Sequence, residues 1–199
     1  ICNMEDIKKQ YTIQWVGPFH SLEEARYHRK GAKNGLFATP DCFNFYYFRG
    51  NKKGRGYKLS KFYSYFGIHK AADGYHKRLN KNHEHYSAFH ENSNMDIWIG
   101  ALGDLDQYHP DIIEEIETIF IAMYGSNEFL TENDRKKKKN VGSLNDTVCI
   151  INLWYDTEEK PRATKLESIK PFHDVIVCER DQKYPRYLVA NRLTPWKKK

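Results

Sequence analysis

Apolar and polar residues along this chain follow patterns that predict alternating strands and helices. The segment YTIQWVGPF at 11–19 alternates between the two types and ends in Gly-Pro, which predicts a strand followed by a turn. Ser21 and Glu24 then form the pattern of a capping box, so a helix should begin there. Two aromatic-rich segments, at 43–50 and 61–68, predict a pair of strands around a basic loop that contains glycine.

The middle of the chain continues this alternation. Asp73 is a suitable cap for a helix over 75–86, and the apolar segment NMDIWIGAL at 94–102 predicts a buried strand. Pro110 introduces the clearest helix, DIIEEIETIFIAMY at 111–124, at a position where its missing N–H donor costs nothing. From residue 43 onward the predicted order is therefore β-β-α-β-α.

The last third of the chain begins with a polar segment at 127–143, whose run of four lysines predicts a loop. Three further segments, at 147–156, 173–181 and 184–193, predict two or three strands that either extend the sheet or form a small second layer. We therefore expect an α+β fold, with a small mixed or antiparallel sheet flanked by helices.

We expect the chain to divide into three parts. These are an N-terminal strand and helix extension at 1–40, a core at 41–146, and a C-terminal β-rich extension at 147–199. Because the chain begins with Ile1 and not Met, we also expect a fragment of a longer protein, which leaves room for a missing partner domain.

Charge and cysteine content narrow the class of protein. Lys and Arg number 32 against 26 acidic residues, a net charge of +6 that suits a polyanionic partner, although a merely basic surface explains it equally well. The four cysteines form no C-x-x-C pair, which argues against a zinc ribbon or a dithiol site and favours reduced thiols in the cytoplasm. The apolar runs are far shorter than the ~20 residues of a membrane span, and no signal peptide is evident.

Five short motifs occur in the same order as the predicted strands and helices. They are NFY at 44–46, YFG at 65–67, HKRL at 76–79, ETIFI at 117–121 and SLN at 143–145. Taken together they resemble the GIY-YIG nuclease family over about 41–146. Each motif is weak alone, but their order agrees with the β-β-α-β-α pattern. The resemblance implies an endonuclease that hydrolyses DNA, with RNA as an alternative substrate.

The resemblance also implies roles for three of the side chains. Tyr65, in the second triplet, would take a proton from the attacking water, and Tyr46, in the first triplet, would line the same site. A phenol with an ordinary pKa near 10 needs nearby positive charge to act as a base at neutral pH. Arg78 would bind the scissile phosphate through its planar fork of donors. Without the other motifs, the tyrosines would be ordinary strand aromatics and Arg78 a solvated helix cation.

Periodicity places the metal-binding candidate on its helix. The apolar positions of 111–124 form one arc centred near Ile116, with Glu117 on one shoulder, Glu115 on the other and Glu114 nearly opposite. Periodicity alone does not separate Glu117 from Glu115, whereas the resemblance selects Glu117. A single carboxylate suits one Mg²⁺, with Mn²⁺ as a substitute, since this ion keeps several of its waters. The ion would stabilise charge on the phosphate and the leaving oxygen.

Other candidates rest on less specific signals. His69 stands where many family members have lysine, and it could position phosphate or move a proton. Asn145 resembles the family asparagine that steadies the site, although Asn127, Asn133 and Asn140 compete for that assignment. The grouped histidines His83, His85 and His90 are better explained by a polar helix surface than by a zinc site. We expect contacts with nucleic acid from five basic residues, Lys52, Lys53, Arg55, Lys58 and Lys77.

Two departures from the family and two competing functions remain open. The first triplet begins with Asn44 where the family often has glycine, and the gap between the triplets is longer than usual. A nucleic-acid-binding module that has lost its chemistry, or a protein-interaction domain, would share this composition. Within the nuclease interpretation, a restriction or phage-defence enzyme is favoured, and cutting both strands with one metal would call for a homodimer or sequential nicks.

Overall fold

The computed structural model describes residues 7–31, 43–51, 63–70, 79–90, 94–104, 108–125, 146–162, 170–179 and 187–190. These residues form an α+β fold, as the pattern predicts. In chain order its elements are β1 (Ile7–Phe19), α1 (Leu22–Gly31), β2 (Phe43–Gly50), β3 (Tyr63–Ile68), α2 (Glu84–Ser87), β4 (Asp96–Leu102), α3 (Pro110–Tyr124), β5 (Thr147–Tyr155), β6 (Val175–Cys178) and β7 (Tyr187–Ala190).

The described strands form one sheet in the order β3-β2-β4-β1-β5-β6-β7. Strand β1 is antiparallel to β4 and parallel to β5, and the other neighbouring pairs are antiparallel. The three C-terminal strands therefore extend the sheet, which settles the alternative of a second layer. Because parallel neighbours need a long crossover connection, β1 meets β5 only after the chain has passed through β4 and α3.

Each face of the sheet is covered by helices and has its own apolar core. Helix α3 covers the first face, where Trp15 lies at the centre of a cluster of rings. Its ring centroid is 5.7–6.4 Å from those of Phe45, Phe66, Phe120, Trp154 and Phe172. Helices α1 and α2 cover the second face, where Leu22 and Tyr86 join a separate cluster with Phe48. This division follows from the strands, since successive side chains point to opposite faces.

Buried polar groups tie the β5–β6 half of the sheet to the first core. The side chain of Asn152 accepts a hydrogen bond from Trp15 Nε1 at 2.9 Å and donates to the His173 carbonyl at 2.7 Å. Asp174 accepts from Trp154 Nε1 at 2.8 Å and pairs with Lys170 at 2.9 Å. These partners are needed because a buried polar group without a hydrogen bond costs free energy.

The starts of two helices match the prediction, and the middle helix differs from it. Ser21 and Glu24 cap α1, with Glu24 N–H donating to Ser21 Oγ and the Glu24 carboxylate accepting from the N–H of His20, the residue before Ser21. Helix α3 begins at Pro110, as predicted. The helix expected over 75–86 is reduced to α2 in the described part, since residues 79–83 are not helical. None of the helices in the described ranges combines the length and the apolar composition needed to cross a membrane.

Candidate functional site

The β2–β3 hairpin brings the two predicted site tyrosines together. Tyr46 is opposite Gly67 and Phe48 is opposite Tyr65, so both tyrosines point to the second face of the sheet. Their ring centroids are 6.2 Å apart. Tyr46 is completely buried, whereas the residue Tyr65 keeps 9% of its surface exposed. Of the two phenols, Tyr65 is therefore the one that a solvent-borne substrate reaches more readily.

Gly67, the last residue of the YFG triplet, makes room for Tyr46. A Cβ atom built on Gly67 would overlap the Tyr46 ring and its hydroxyl oxygen. A close approach of this kind requires glycine whatever the local backbone angles. The second triplet therefore fixes the position of the first-triplet tyrosine.

Asn44, the first residue of the NFY motif, has a structural role. It lies where the β2–β4 register shifts between Phe43 and Phe45, which indicates a β-bulge. Its buried side chain donates to the His69 carbonyl at 2.9 Å, and its own carbonyl accepts from His69 N–H at 2.7 Å. Asn44 thus holds the end of β3, which carries His69, against β2.

His83 joins the site from the start of α2, a contact that the sequence did not predict. Its Nδ1 accepts a hydrogen bond from Tyr86 N–H at the helix N-cap, and its Nε2 lies 3.2 Å from the Tyr46 hydroxyl oxygen. The His83 ring therefore contacts the N-terminus of α2 through one nitrogen and the Tyr46 hydroxyl through the other.

The neighbouring His85 adds a second imidazole to this group. Its ring stacks on that of Tyr65, with centroids 4.2 Å apart and planes 17° apart. The expected polar helix surface therefore does not describe these two half-buried rings, whereas His90 is exposed. Residues two positions apart point to different sides of a helix. Here His83 is the extended N-cap of α2 and His85 lies within the helix, and their rings contact Tyr46 of β2 and Tyr65 of β3. We call Tyr46, Tyr65, His83 and His85 the ring cluster.

Glu117 lies inside the buried arc of α3 and not on its shoulder. The arc is displaced from the predicted position because Ile121 and Tyr124 are buried, whereas Ile112 and Met123 are only partly so. Glu117 is 9% exposed. A carboxylate at such a position needs a cation or hydrogen-bond donors to offset its lost hydration.

The other two carboxylates of the predicted trio have ion-pair partners of their own. Glu115 pairs with Lys9 at 2.9 Å and accepts from the Tyr11 hydroxyl at 2.8 Å. Burial, followed by this hydrogen bond to Glu115, raises the pKa of Tyr11. Glu114 pairs with Lys70, just beyond β3. These contacts join α3 to β1 and to the end of β3.

The ring cluster and the helix that carries Glu117 lie on opposite faces of the sheet. Tyr46 and Tyr65 belong to the second core, whereas Ile116 and Phe120, beside Glu117, pack into the first. Groups from the two faces can meet around the edge of the sheet at β3, which is an edge strand among the described residues. Just past its end, Lys70 contacts α3 through Glu114, and Tyr108 donates a hydrogen bond to the Lys70 carbonyl.

A metal ion at Glu117 would have one protein carboxylate as its ligand in the described structure. Among the described residues no three His, Cys, Asp or Glu side chains come together as a metal site. A single carboxylate still fits Mg²⁺, because this ion keeps several waters and takes further ligands from substrate phosphates. The donor set is therefore compatible with the predicted ion.

Several predicted site residues lie outside the described part of the chain. They are Arg78, Asn145, Lys52, Lys53, Arg55, Lys58 and Lys77. Comparison of the chain with family models, with curated proteins and with solved structures gives no match.

Proposed function

We propose that this chain is a metal-dependent endonuclease of the GIY-YIG type that hydrolyses phosphodiester bonds in DNA. The ring cluster carries the proposal, because two phenols and two imidazoles meet on one face of the β2–β3 hairpin. Phenol and imidazole groups within hydrogen-bond reach are suited to moving a proton from water at neutral pH. The element order β2-β3-α2-β4-α3 also supports the proposal, with α2 beginning at Glu84, after the HKRL motif.

In this proposal the two tyrosines have different tasks. Tyr65, the more exposed phenol, accepts the proton of the attacking water. Tyr46, which is buried and hydrogen-bonded to His83, holds that imidazole in one tautomer and one orientation beside Tyr65. The ring centroids of Tyr65 and His83 are 5.6 Å apart, so charge on either ring affects the other.

The phosphate and the metal are assigned to residues on either side of β3. Arg78 follows β3 in the chain and would bind the scissile phosphate, while Glu117 would hold Mg²⁺ on the α3 side. When bound, this ion would supply positive charge next to the phosphate oxygens. The DNA backbone would then lie across the β3 edge, where it meets groups from both faces of the sheet.

The test is cleavage of supercoiled plasmid and single-stranded DNA with Mg²⁺, Mn²⁺ or EDTA. We expect cutting that needs the metal and that falls by about a thousandfold in Glu117→Gln, since the ion contributes several kcal/mol to the transition state. Glu114→Gln, on the same helix, is the matched control. Its exposed ion pair with Lys70 contributes little to stability, so near-normal cutting is expected.

Other outcomes would select a different function. Cutting by Glu117→Gln at the normal rate would remove Glu117 from the site, in keeping with its place on the opposite face. If the wild type binds DNA but does not cut it, and binding weakens steeply with salt, the chain is a nucleic-acid-binding module. If the wild type neither cuts DNA nor binds it in a salt-sensitive way, a protein-interaction domain is the preferred function.

If cutting is found, we expect a restriction or phage-defence role in the cytoplasm, with DNA as the partner. A single site of this kind cuts one strand at a time. Double-strand cuts whose rate rises with the square of protein concentration would indicate a homodimer, and sequential nicks would indicate a monomer.

A further inference from the structure

The stack between Tyr65 and His85 is the closest ring pair among the described residues. The rings are nearly parallel, whereas the buried neighbours of Tyr65, Phe48 and Tyr46, are tilted by 33° and 34°. His85 is half-buried and Tyr65 is almost completely buried. The imidazole therefore covers part of the Tyr65 ring, which also packs against buried Phe48.

His85 is itself held from both sides along the chain. On one side, His83 contacts Tyr46 and caps α2. On the other side, Tyr86 is buried against Phe48, and its hydroxyl accepts a hydrogen bond from Leu22 N–H at 3.1 Å. With both neighbours anchored, His85 has little freedom to leave Tyr65. Ordering of this kind restricts the directions from which a substrate can approach the phenol.

We propose that His85 is a positioning residue for Tyr65, which it orients by stacking and whose phenolate it stabilises when the imidazole is protonated. This inference rests on the proposed function, in which Tyr65 acts on water. Stacking is available to any aromatic side chain, whereas attraction between a cation and the ring requires the imidazolium. Among the described residues, the other titratable groups near this stack include Tyr46 and His83, which face Tyr65, and Glu84, which precedes His85 and is exposed.

Two substitutions separate the two effects. His85→Phe keeps a stacking ring and removes the charge, and His85→Ala removes both. The environment of Tyr65 is read from protein labelled with ¹³C at the tyrosine ζ carbon, with its resonance identified by its absence in Tyr65→Phe. Exposed His90, just beyond α2, gives the control His90→Ala.

We expect the Tyr65 resonance of the wild type to change over the pH range in which imidazoles titrate, and that step to be absent in both His85 variants. Cleavage should fall roughly three- to tenfold in His85→Ala. His85→Phe, which keeps the stack and loses the charge, should cut faster than His85→Ala and should lack the pH-dependent step of the wild type. His90→Ala should behave as the wild type does.

The proposal is overturned if the Tyr65 resonance titrates identically in the wild type and in His85→Phe, or if His85→Ala cuts as fast as the wild type. Failure of the proposed function has a different signature. If the wild type cuts no DNA, the nuclease proposal fails, and the resonance alone decides whether His85 positions Tyr65.

Discussion

At Gly67 the backbone of β3 passes directly beneath the ring of Tyr46. A side chain of any size there would push the ring away and break its hydrogen bond with His83. The ring cluster therefore depends on a residue that contributes no functional group. Protein cores resist such changes because their side chains are closely packed and have little space to move.

Gly67→Ala should destabilise the protein by about 1–3 kcal/mol, because the added methyl overpacks a buried contact. Urea unfolding at pH 7.5 measures the change. Gly103→Ala is the control, since its Cβ would meet Thr12 at 3.4 Å, an ordinary contact distance. Equal unfolding midpoints for Gly67→Ala and the wild type would show that Tyr46 moves aside without cost.

Individual site residues differed in how far the sequence could predict them. The triplets placed Tyr46 and Tyr65 on paired strands, since an alternating pattern fixes which side chains share a face. The sequence placed Glu117 on a shoulder of the apolar arc of α3. In the structure the buried arc is displaced, because some of the apolar residues used to locate it are only partly buried, and Glu117 lies inside it. His83 was missed because its role depends on an N-cap that joins it to a strand 37 residues earlier.

Among the elements, the turn that precedes β6 is fastened to the C-terminal end of α3. The Tyr124 hydroxyl accepts a hydrogen bond from His173 N–H at 3.0 Å, and its oxygen lies 2.6 Å from His173 Nδ1. Burial lowers the pKa of His173, although the nearby Asp174 opposes this shift.

This contact should make stability depend on pH. Because the pKa of His173 is lower in the folded state than its ordinary 6.5, the unfolded chain binds more protons in the interval below 6.5. Stability contributed by neutral His173 is thus present above pH 6.5 and is lost as pH falls through the folded pKa. We expect His173→Gln to show a smaller decrease in urea midpoint than the wild type between pH 7.5 and pH 5. Equal decreases would contradict this, and His90→Gln serves as the control.

Strands were predicted more closely than the middle helix, for a local reason. Strand β2 ends at Gly50 as its aromatic run predicts, and β3 and β4 lie within their predicted ranges. In the segment before α2, the Asn80 side chain accepts a hydrogen bond from Asn82 N–H. The backbone carbonyl of Asn80 accepts one from His83 N–H. Asparagine side chains compete with the helix for backbone donors in this way. The pattern of polar residues in the sequence does not reveal this competition.

For the whole molecule, the central position of β1 is the decisive feature. The sequence predicted the strand but not its neighbours, because an apolar pattern fixes the buried face and not the partner strand. With β1 between β4 and β5, the predicted extensions at 1–40 and 147–199 supply strands to the same sheet as the predicted core. Trp15 supplies the ring at the centre of the first core.

A fragment of residues 41–146 should therefore not fold on its own. It would leave β4 without its β1 partner and would expose the apolar surface around Trp98 that β1 and β5 cover. We expect a circular dichroism melt without a cooperative transition, together with binding of a dye that reports exposed apolar surface. A cooperative transition in the fragment would show that the β2–β4 segment is an independent unit.

The parallel pairing of β1 with β5 also sets when the protein can fold. Trp15 and Asn152, which share a hydrogen bond across this pair, are 137 residues apart in the chain. Contacts between such distant residues give a high contact order, which is associated with slow folding. During synthesis β1 and β4 can pair early, but one edge of β1 stays open until β5 has left the ribosome. Unpaired strand edges of this kind attract other chains, so the nascent protein should depend on chaperones during that interval.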